Sequence, residues 1–325
     1  MTNKEQYIEW APKQENLPIF MQPWWLDAVC AGKQWDVLLS LDEAGNIRAA
    51  LPYLLCKKWW MRWIIMPQET QIGGIWFSQN GGLISDTDEA VDIRSICEDL
   101  SQQLSALNLH YYYQQYPIGS AAIPVMKALG FKVRERVTYR IEDLHDLNLV
   151  IDKFSKNKKR QLQKALSLHA ERGLSAEQFY QTHREFLKLQ RKELSYTREF
   201  LLVLDRKARR NDQSEVITIK NADGEIYAAA YLVWDKHNMY YLIPCFNPMY
   251  KDSGASALLV LEALKLAREK GVVFDFEGSM VRGIANHYRQ FGSQPHKYYS
   301  VEKYYKPMFA LALFFNKLRN IKYGM

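Results

Sequence analysis

The sequence predicts an α/β protein built as two tandem domains, and three observations predict it. A strand–turn–strand layout occurs once in each half of the chain. A turn, a helix, a strand and a second helix follow one another over residues 247–292. A length of 325 residues with 48% hydrophobic content suits two domains of ordinary size, meeting near residue 149, better than one oversized core.

In the first half, Pro23 opens a short helix over residues 22–29. Residues 35–41 alternate as a strand, 42–46 carry the turn residues Asp42, Gly45 and Asn46, and 47–55 return as a second strand. Residues 216–220, 221–225 and 226–234 repeat that order, and NIRAALPYLL and EIYAAAYLVW share their layout. The halves also close alike, with Leu129-Gly130-Phe131 before a strand at 132–141 and Phe291-Gly292 before one at 297–303. This internal repeat sets the expected domains at 1–148 and 149–325. The copies are unequal. In the first, a wide loop with glycines at 73–74 and 81–82 precedes the long helix expected at 88–107, and Met126 stands four residues before the closing glycine. Any chemistry is therefore expected in the second half.

Within 247–292, Asn247-Pro248 and Asp252-Ser253-Gly254 break the chain, and a helix starts at Ala255. Leu258, Leu261 and Leu264 form its apolar face, Glu262, Lys265 and Glu269 its wet one, and Gly271 its C-cap. Residues 272–276 read as a buried strand closed by Gly278, and 283–290 as a short helix ended by Gly292. A helix N-terminus opening from a loop of small residues offers backbone N–H groups and partial positive charge to an anion such as phosphate. The plainer alternative for Asp252-Ser253-Gly254-Ala255-Ser256 is an N-cap and a turn.

These residues resemble a known family. The loop Lys251-Asp252-Ser253-Gly254-Ala255-Ser256, a long helix, a strand, and a helix with Asn286 and Tyr288 ahead of Gly292 resemble the GNAT acyltransferases, with Lys251 in place of Gln or Arg and Ser256 in place of the final Gly or Ala. Phe274-Asp275-Phe276-Glu277-Gly278 followed by Phe291-Gly292 resembles the FemAB-like branch. The resemblance implies two tandem GNAT-like domains, each a mixed, mostly antiparallel sheet flanked by helices, the first degenerate and forming a wall of the acceptor cleft. It implies an N-acyltransferase that moves an acyl group from acyl-CoA to an amine acceptor by direct attack, with no metal. Lys251, Gly254, Ala255, Ser256 and Asn286 then bind the donor, and Gly254 keeps the approach to its phosphate clear of a side chain. Tyr288 protonates the leaving thiolate or ribose oxygen, and Glu277 or Asp275 accepts the amine proton. A structural hydrogen-bond acceptor in the sheet is an equal reading of Asp275. The acceptor is a small-molecule amine or a peptidoglycan or glycan precursor. The alternatives are FemAB-type transfer from aminoacyl-tRNA to a cell-wall precursor, against which stands the absence of sustained heptads for a coiled-coil arm, and a non-catalytic binding module.

Composition constrains the rest. Net charge +7 suits an anionic partner without choosing among CoA, tRNA and a phospholipid surface. Cys30, Cys56, Cys97 and Cys245 lie far apart, and His169, His183, His237, His287 and His296 lack metal-ligand spacing, so no metal site is expected. On a helix, His287 and Tyr288 point different ways. Lys153, Lys156, Lys158, Lys159, Arg160 and Lys164 crowd the start of a helix expected through His169, as a solvated face or as a phosphate contact. Trp59, Met61 and Trp63 are expected on one buried strand face, in preference to a sugar-stacking or membrane-interface patch. The tail has an apolar run at 309–315 and then Lys317, Arg319 and Lys322; it is expected to dock as a final helix, with peripheral membrane contact as the alternative. MTNKEQYIEW lacks a signal-peptide layout and no apolar run reaches ~20 residues, so a cytoplasmic protein is expected.

Overall fold

The computed structural model describes residues 1–30, 33–78, 93–278, 280–306 and 309. Its contacts divide the chain into two units, Met1–Arg136 with Lys297–Met325, and Val137–His296. That division differs from the boundary expected at 148/149. The chain leaves the first unit within β6 (Lys132–Ile141) and re-enters it within β12 (Gln294–Tyr304).

In the first unit, β1 (Trp35–Leu41) pairs antiparallel with β2 (Ile47–Lys58), and β2 with β3 (Met61–Ile65) and with the two-residue β4 (Trp76–Phe77). β3 runs parallel to β5 (Tyr111–Tyr116), which pairs antiparallel with β12. The helices are α1 (Asn3–Trp10), α2 (Pro23–Val29), α3 (Ile93–Ala106) and α4 (Ala122–Ala128). Pro23 does open α2. Leu51, Ile64, Phe77, Ile96, Leu100, Tyr112, Met126 and Val301 meet in one buried core.

The second unit repeats the plan. β8 (Ser214–Lys220), β9 (Ile226–Trp234) and β10 (Asn238–Phe246) form an antiparallel meander, β10 runs parallel to β11 (Val273–Asp275), and β11 pairs antiparallel with β6. β7 (His169–Arg172) edges this sheet beside β8. Its helices are α5 (Leu147–Asp152), α6 (Lys156–Lys164), α7 (Ala176–Leu189), α8 (Arg198–Arg210), α9 (Ala255–Lys270) and α10 (Arg282–Arg289). The two hairpins match in register. β1 and β2 close at Leu41↔Ile47 with an irregularity between Ser40 and Leu41, and β8 and β9 close at Lys220↔Ile226 with one between Ile219 and Lys220. In both turns an Asx side chain accepts from the backbone N–H four residues on, Asp42 from Asn46 and Asn221 from Glu225. The mostly antiparallel mixed sheets flanked by helices are the predicted fold class.

Two expectations fail. Trp59 and Trp60 do not enter a buried face: Lys58 pairs with Met61, so the tryptophans form the two-residue tip of the β2–β3 hairpin, 78% and 69% exposed. The run reads as one strand only if the reversal at 59–60 is overlooked. The helix expected through His169 ends at Lys164, and His169 opens β7. The loop around Gly81-Gly82 and the tail beyond Phe309 lie outside the described residues. Among the described residues, no helix is long and apolar enough to cross a membrane.

β11 is short but central to its unit. Phe274 is fully buried, packs edge-on to Phe276 at 4.9 Å and lies 5.9 Å from Tyr241. Phe274→Ala is expected to cost ~3–5 kcal/mol, because the cavity adds to the lost burial; the fall in urea midpoint measures it.

Candidate active site

α9 begins where its sequence says it should, but its first residue is fixed by a neighbour. Gly254, the N-cap, has φ +85°, and a Cβ there would collide with the carbonyl oxygen of Gln161 in α6. The glycine therefore has a packing reason that the sequence could not show: it lets the end of α6 sit directly against the start of α9. Ser253 Oγ accepts from the Ala255 N–H at 3.2 Å and donates to the Tyr250 carbonyl at 2.7 Å. The Ala255 N–H is thus held within the loop by the residue before the N-cap, while Gly254, the N-cap itself, makes no side-chain cap bond. Ala255 is buried, Ser256 half-buried and Lys251 exposed. Beside this loop lies a groove of about 420 Å³, lined by Lys164, Leu168, Asn221, Asp223, Tyr227 and Ser253 among others.

The strand after α9 positions the carboxylates. Asp275 is fully buried and accepts from the Thr138 hydroxyl, from Arg140 Nε at 2.7 Å and from the Glu277 N–H at 2.8 Å. Its charge is matched by Arg140 and its oxygens by three donors, which favours the structural reading of this residue. What it holds is the loop. Glu277 and Gly278 are both left-handed, with φ +61° and +70°. A Cβ at Gly278 would strike the Val137 carbonyl. This double turn stops β11 and sets Glu277, half-buried, on the loop just past the strand end.

α10 then brings Tyr288 back over the same strand. Its ring stacks on Phe276 at 4.5 Å and 25°, with Tyr139 at 6.1 Å. Burial, and then the negative charges of Glu277 and Asp275, push its phenol up to about 12, so it keeps its proton at neutral pH. Asn286 is exposed and accepts from Arg289 Nη1 at 3.2 Å. The structure thus brings Asp275, Glu277 and Tyr288 together, and gathers Lys251, Gly254, Ala255 and Ser256 at the start of α9.

One of the clustered cations differs from the expected solvated face. Among the six clustered cations, Lys153, Lys156, Arg160 and Lys164 are exposed and Lys159 reaches Asp152 at 3.5 Å, but Lys158 is only 2% exposed. Lys158 Nζ donates to Gln161 Oε1 at 3.0 Å, faces His287 Nδ1 at 3.2 Å and lies 4.6 Å from the centre of the Phe291 ring. Burial pushes Lys158 down to about 8; burial and the adjacent ammonium push His287 down to about 4. The imidazole is therefore neutral, and the ammonium bond assigns its proton to Nε2. The sequence carries a signal for this: Lys158 and Leu162 fall one helical turn apart in α6, and Ala165, its buried C-cap, continues that spacing. His287 meets Lys158 of α6 through Nδ1, and its ring lies 5.3 Å from Phe291 and 6.0 Å from Tyr288. Among the described residues no cluster of His, Cys, Asp and Glu could hold a metal ion.

Residues 134–297 match the acetyltransferase (GNAT) domain family. No curated protein matches the sequence. Among solved structures, FemX is similar over 97% of this chain and 98% of its own, with 13% identity and a TM-score of 0.68. The C-terminal domain of a putative lysylphosphatidylglycerol synthetase from Agrobacterium fabrum is similar over 97% of both chains, at 13% identity and a TM-score of 0.57. A tandem GNAT protein from the clavulanic acid biosynthesis pathway covers 84% of this chain and 83% of its own, at 11% identity and a TM-score of 0.53. At these identities the likeness is one of fold.

Gly254→Ala is expected to destabilise the protein by at least ~1–3 kcal/mol for the left-handed backbone, with the clash against Gln161 in addition; unchanged urea unfolding would show that α6 does not pack there. For Lys158 the folded pKa lies below the ordinary 10.5, so the unfolded chain holds the extra proton between about pH 8 and 10.5 and stability rises with pH across that window. Lys158→Met should abolish this rise and lift Tm at neutral pH, by roughly 2–4 °C for each kcal/mol regained. Thermal unfolding across that pH range reads both effects.

Proposed function

The chain belongs to the acetyltransferase (GNAT) domain family, with a FemAB-like fold, and is an acyltransferase; we propose that it transfers an acyl group from acyl-CoA to an amine acceptor by direct attack. The observation that carries this reading is that the family match, residues 134–297, contains α9, β11 and α10 and with them every residue proposed for the site. In the proposed step the amine nitrogen bonds to the thioester carbonyl carbon, the C–S bond breaks, and no covalent enzyme intermediate forms. Glu277, on the loop past β11, accepts the amine proton directly or through water. Tyr288, held protonated, gives its proton to the departing thiolate. Asp275 acts as a positioning residue that fixes the Glu277 loop through its bond to the Glu277 N–H.

The donor's phosphates are proposed to lie at the start of α9, where Lys251 and the Ser256 side chain and N–H offer charge and donors to an anion, with Asn286 as a further donor contact. The groove of about 420 Å³ beside Ser253 falls within the usual volume of a small-molecule site of ~300–1,000 Å³. The acceptor is proposed to be a small-molecule amine or the amine of a peptidoglycan or glycan precursor. Four free cysteines support a reducing, cytoplasmic setting.

A second reading, transfer from aminoacyl-tRNA to a cell-wall precursor, is favoured by the exposed Lys153, Lys156, Arg160 and Lys164 around α6. Calorimetry separates the two: acetyl-CoA binding supports the first, whereas no CoA binding together with tRNA binding of steep salt dependence supports the second. In an acyl-transfer assay, Tyr288→Phe should lower turnover by ~10²–10⁴-fold. Donor affinity should hold, since the phenol acts on charge that develops only in the transition state. An unchanged rate would remove Tyr288 from the mechanism.

A further inference from the structure

We propose that the tip of the β2–β3 hairpin, Trp59–Trp60 with Lys57 and Lys58, is an anchor that seats the protein on the surface of an anionic phospholipid bilayer. The fold gives no reason for these tryptophans. They are 78% and 69% exposed, whereas Trp25, Trp35 and Trp76 are buried. The backbone speaks against the first of them as well. Trp59 has φ +54°, in a two-residue turn where glycine or asparagine is favoured and a bulky side chain is strained. A strained position that exposes a large apolar side chain, and buries none, points to a use outside the molecule.

The chemistry of the tip identifies the partner. The two indoles stack at 5.8 Å and 26°, so they project as one aromatic wedge, and Lys58 Nζ lies 5.3 Å from the Trp59 ring. Lys57 and Lys58 are exposed, and no acidic residue occurs between Glu43 and Glu69. Indoles settle at the level of lipid headgroups, and lysines beside them draw the tip to negative charge. A second feature lies on the adjoining strand: Phe309 packs on Trp63 of β3 at 5.6 Å and on Tyr111 at 5.5 Å. From Phe309 the sequence continues through Leu311, Leu313, Phe314 and Phe315 to Lys317, Arg319 and Lys322 with no acidic residue, the same pairing of apolar and cationic groups.

The test is co-sedimentation of the full chain with vesicles of phosphatidylcholine alone or mixed with phosphatidylglycerol. The wild type should pellet with the mixed vesicles and little with phosphatidylcholine. Trp59→Asn/Trp60→Ser should lower the partition coefficient at least about tenfold, because apolar contact and charge act together in interfacial binding. Its Tm should hold or rise, since asparagine suits the left-handed turn. Lys57→Ser and Lys58→Ser should each cost about fivefold. The proposal is overturned if the wild type does not pellet with anionic vesicles or if the tryptophan variant pellets equally well. It is also overturned if the tryptophans govern pelleting without vesicles, which marks self-association, or retention on insoluble peptidoglycan alone, which marks a glycan site.

Discussion

The contact of α6 with the start of α9 is the constraint on which the candidate site depends. Gln161 serves it twice: its carbonyl fills the space left open by Gly254, and its side chain accepts from the buried Lys158. Lys158 in turn meets His287 of α10 and the Phe291 ring. One short helix thus touches both the segment proposed to hold the donor and the helix that carries Tyr288. The cost of burying an ammonium with two neutral partners and a ring is substantial, so this is a joint held at the expense of stability. A lysine at that position has three donors to spend, and its spacing from Gln161 and His287 fixes α6 and α10 together more narrowly than an apolar contact does.

Much of the fold was legible because its signals are local. Turn residues, the apolar runs at 35–41 and 226–234, and the glycines at the ends of α9 are each set by a few neighbouring residues. The repeat was legible for the same reason, and the matching irregularities at Leu41 and Lys220 extend it to the register. What stayed hidden depends on distant partners. Nothing near Gly254 in the chain announces Gln161, and nothing near Asp275 announces Thr138 and Arg140. Asp275 carries two readings in the sequence because its neighbours do not show what its carboxylate meets; its side-chain partners, Thr138 and Arg140, come from β6, more than a hundred residues earlier.

The tryptophan tip and the lysine of α6 were misread in opposite directions, and the physics is the same. An alternating aromatic run suggests burial and a run of cations suggests exposure, but both readings average over neighbours. A two-residue reversal moves Trp59 and Trp60 outward, and helical spacing with Leu162 carries Lys158 inward. In each case the backbone period at one residue outweighs the composition of the run.

The exchange of closing strands has a consequence for the order in which the protein can form. β6 follows the short helix of the first repeat but pairs with β11 of the second unit, while β12 ends the second repeat and pairs with β5 of the first. The first unit therefore lacks a strand until residue 304 has been synthesised, although most of its sequence emerges before residue 137. Until then Val301 is missing from its core and the edge of β5 is left open, a state prone to pairing with other chains. During translation the second unit has all its strands to hand first, and the N-terminal unit, begun earlier, is the one that must wait.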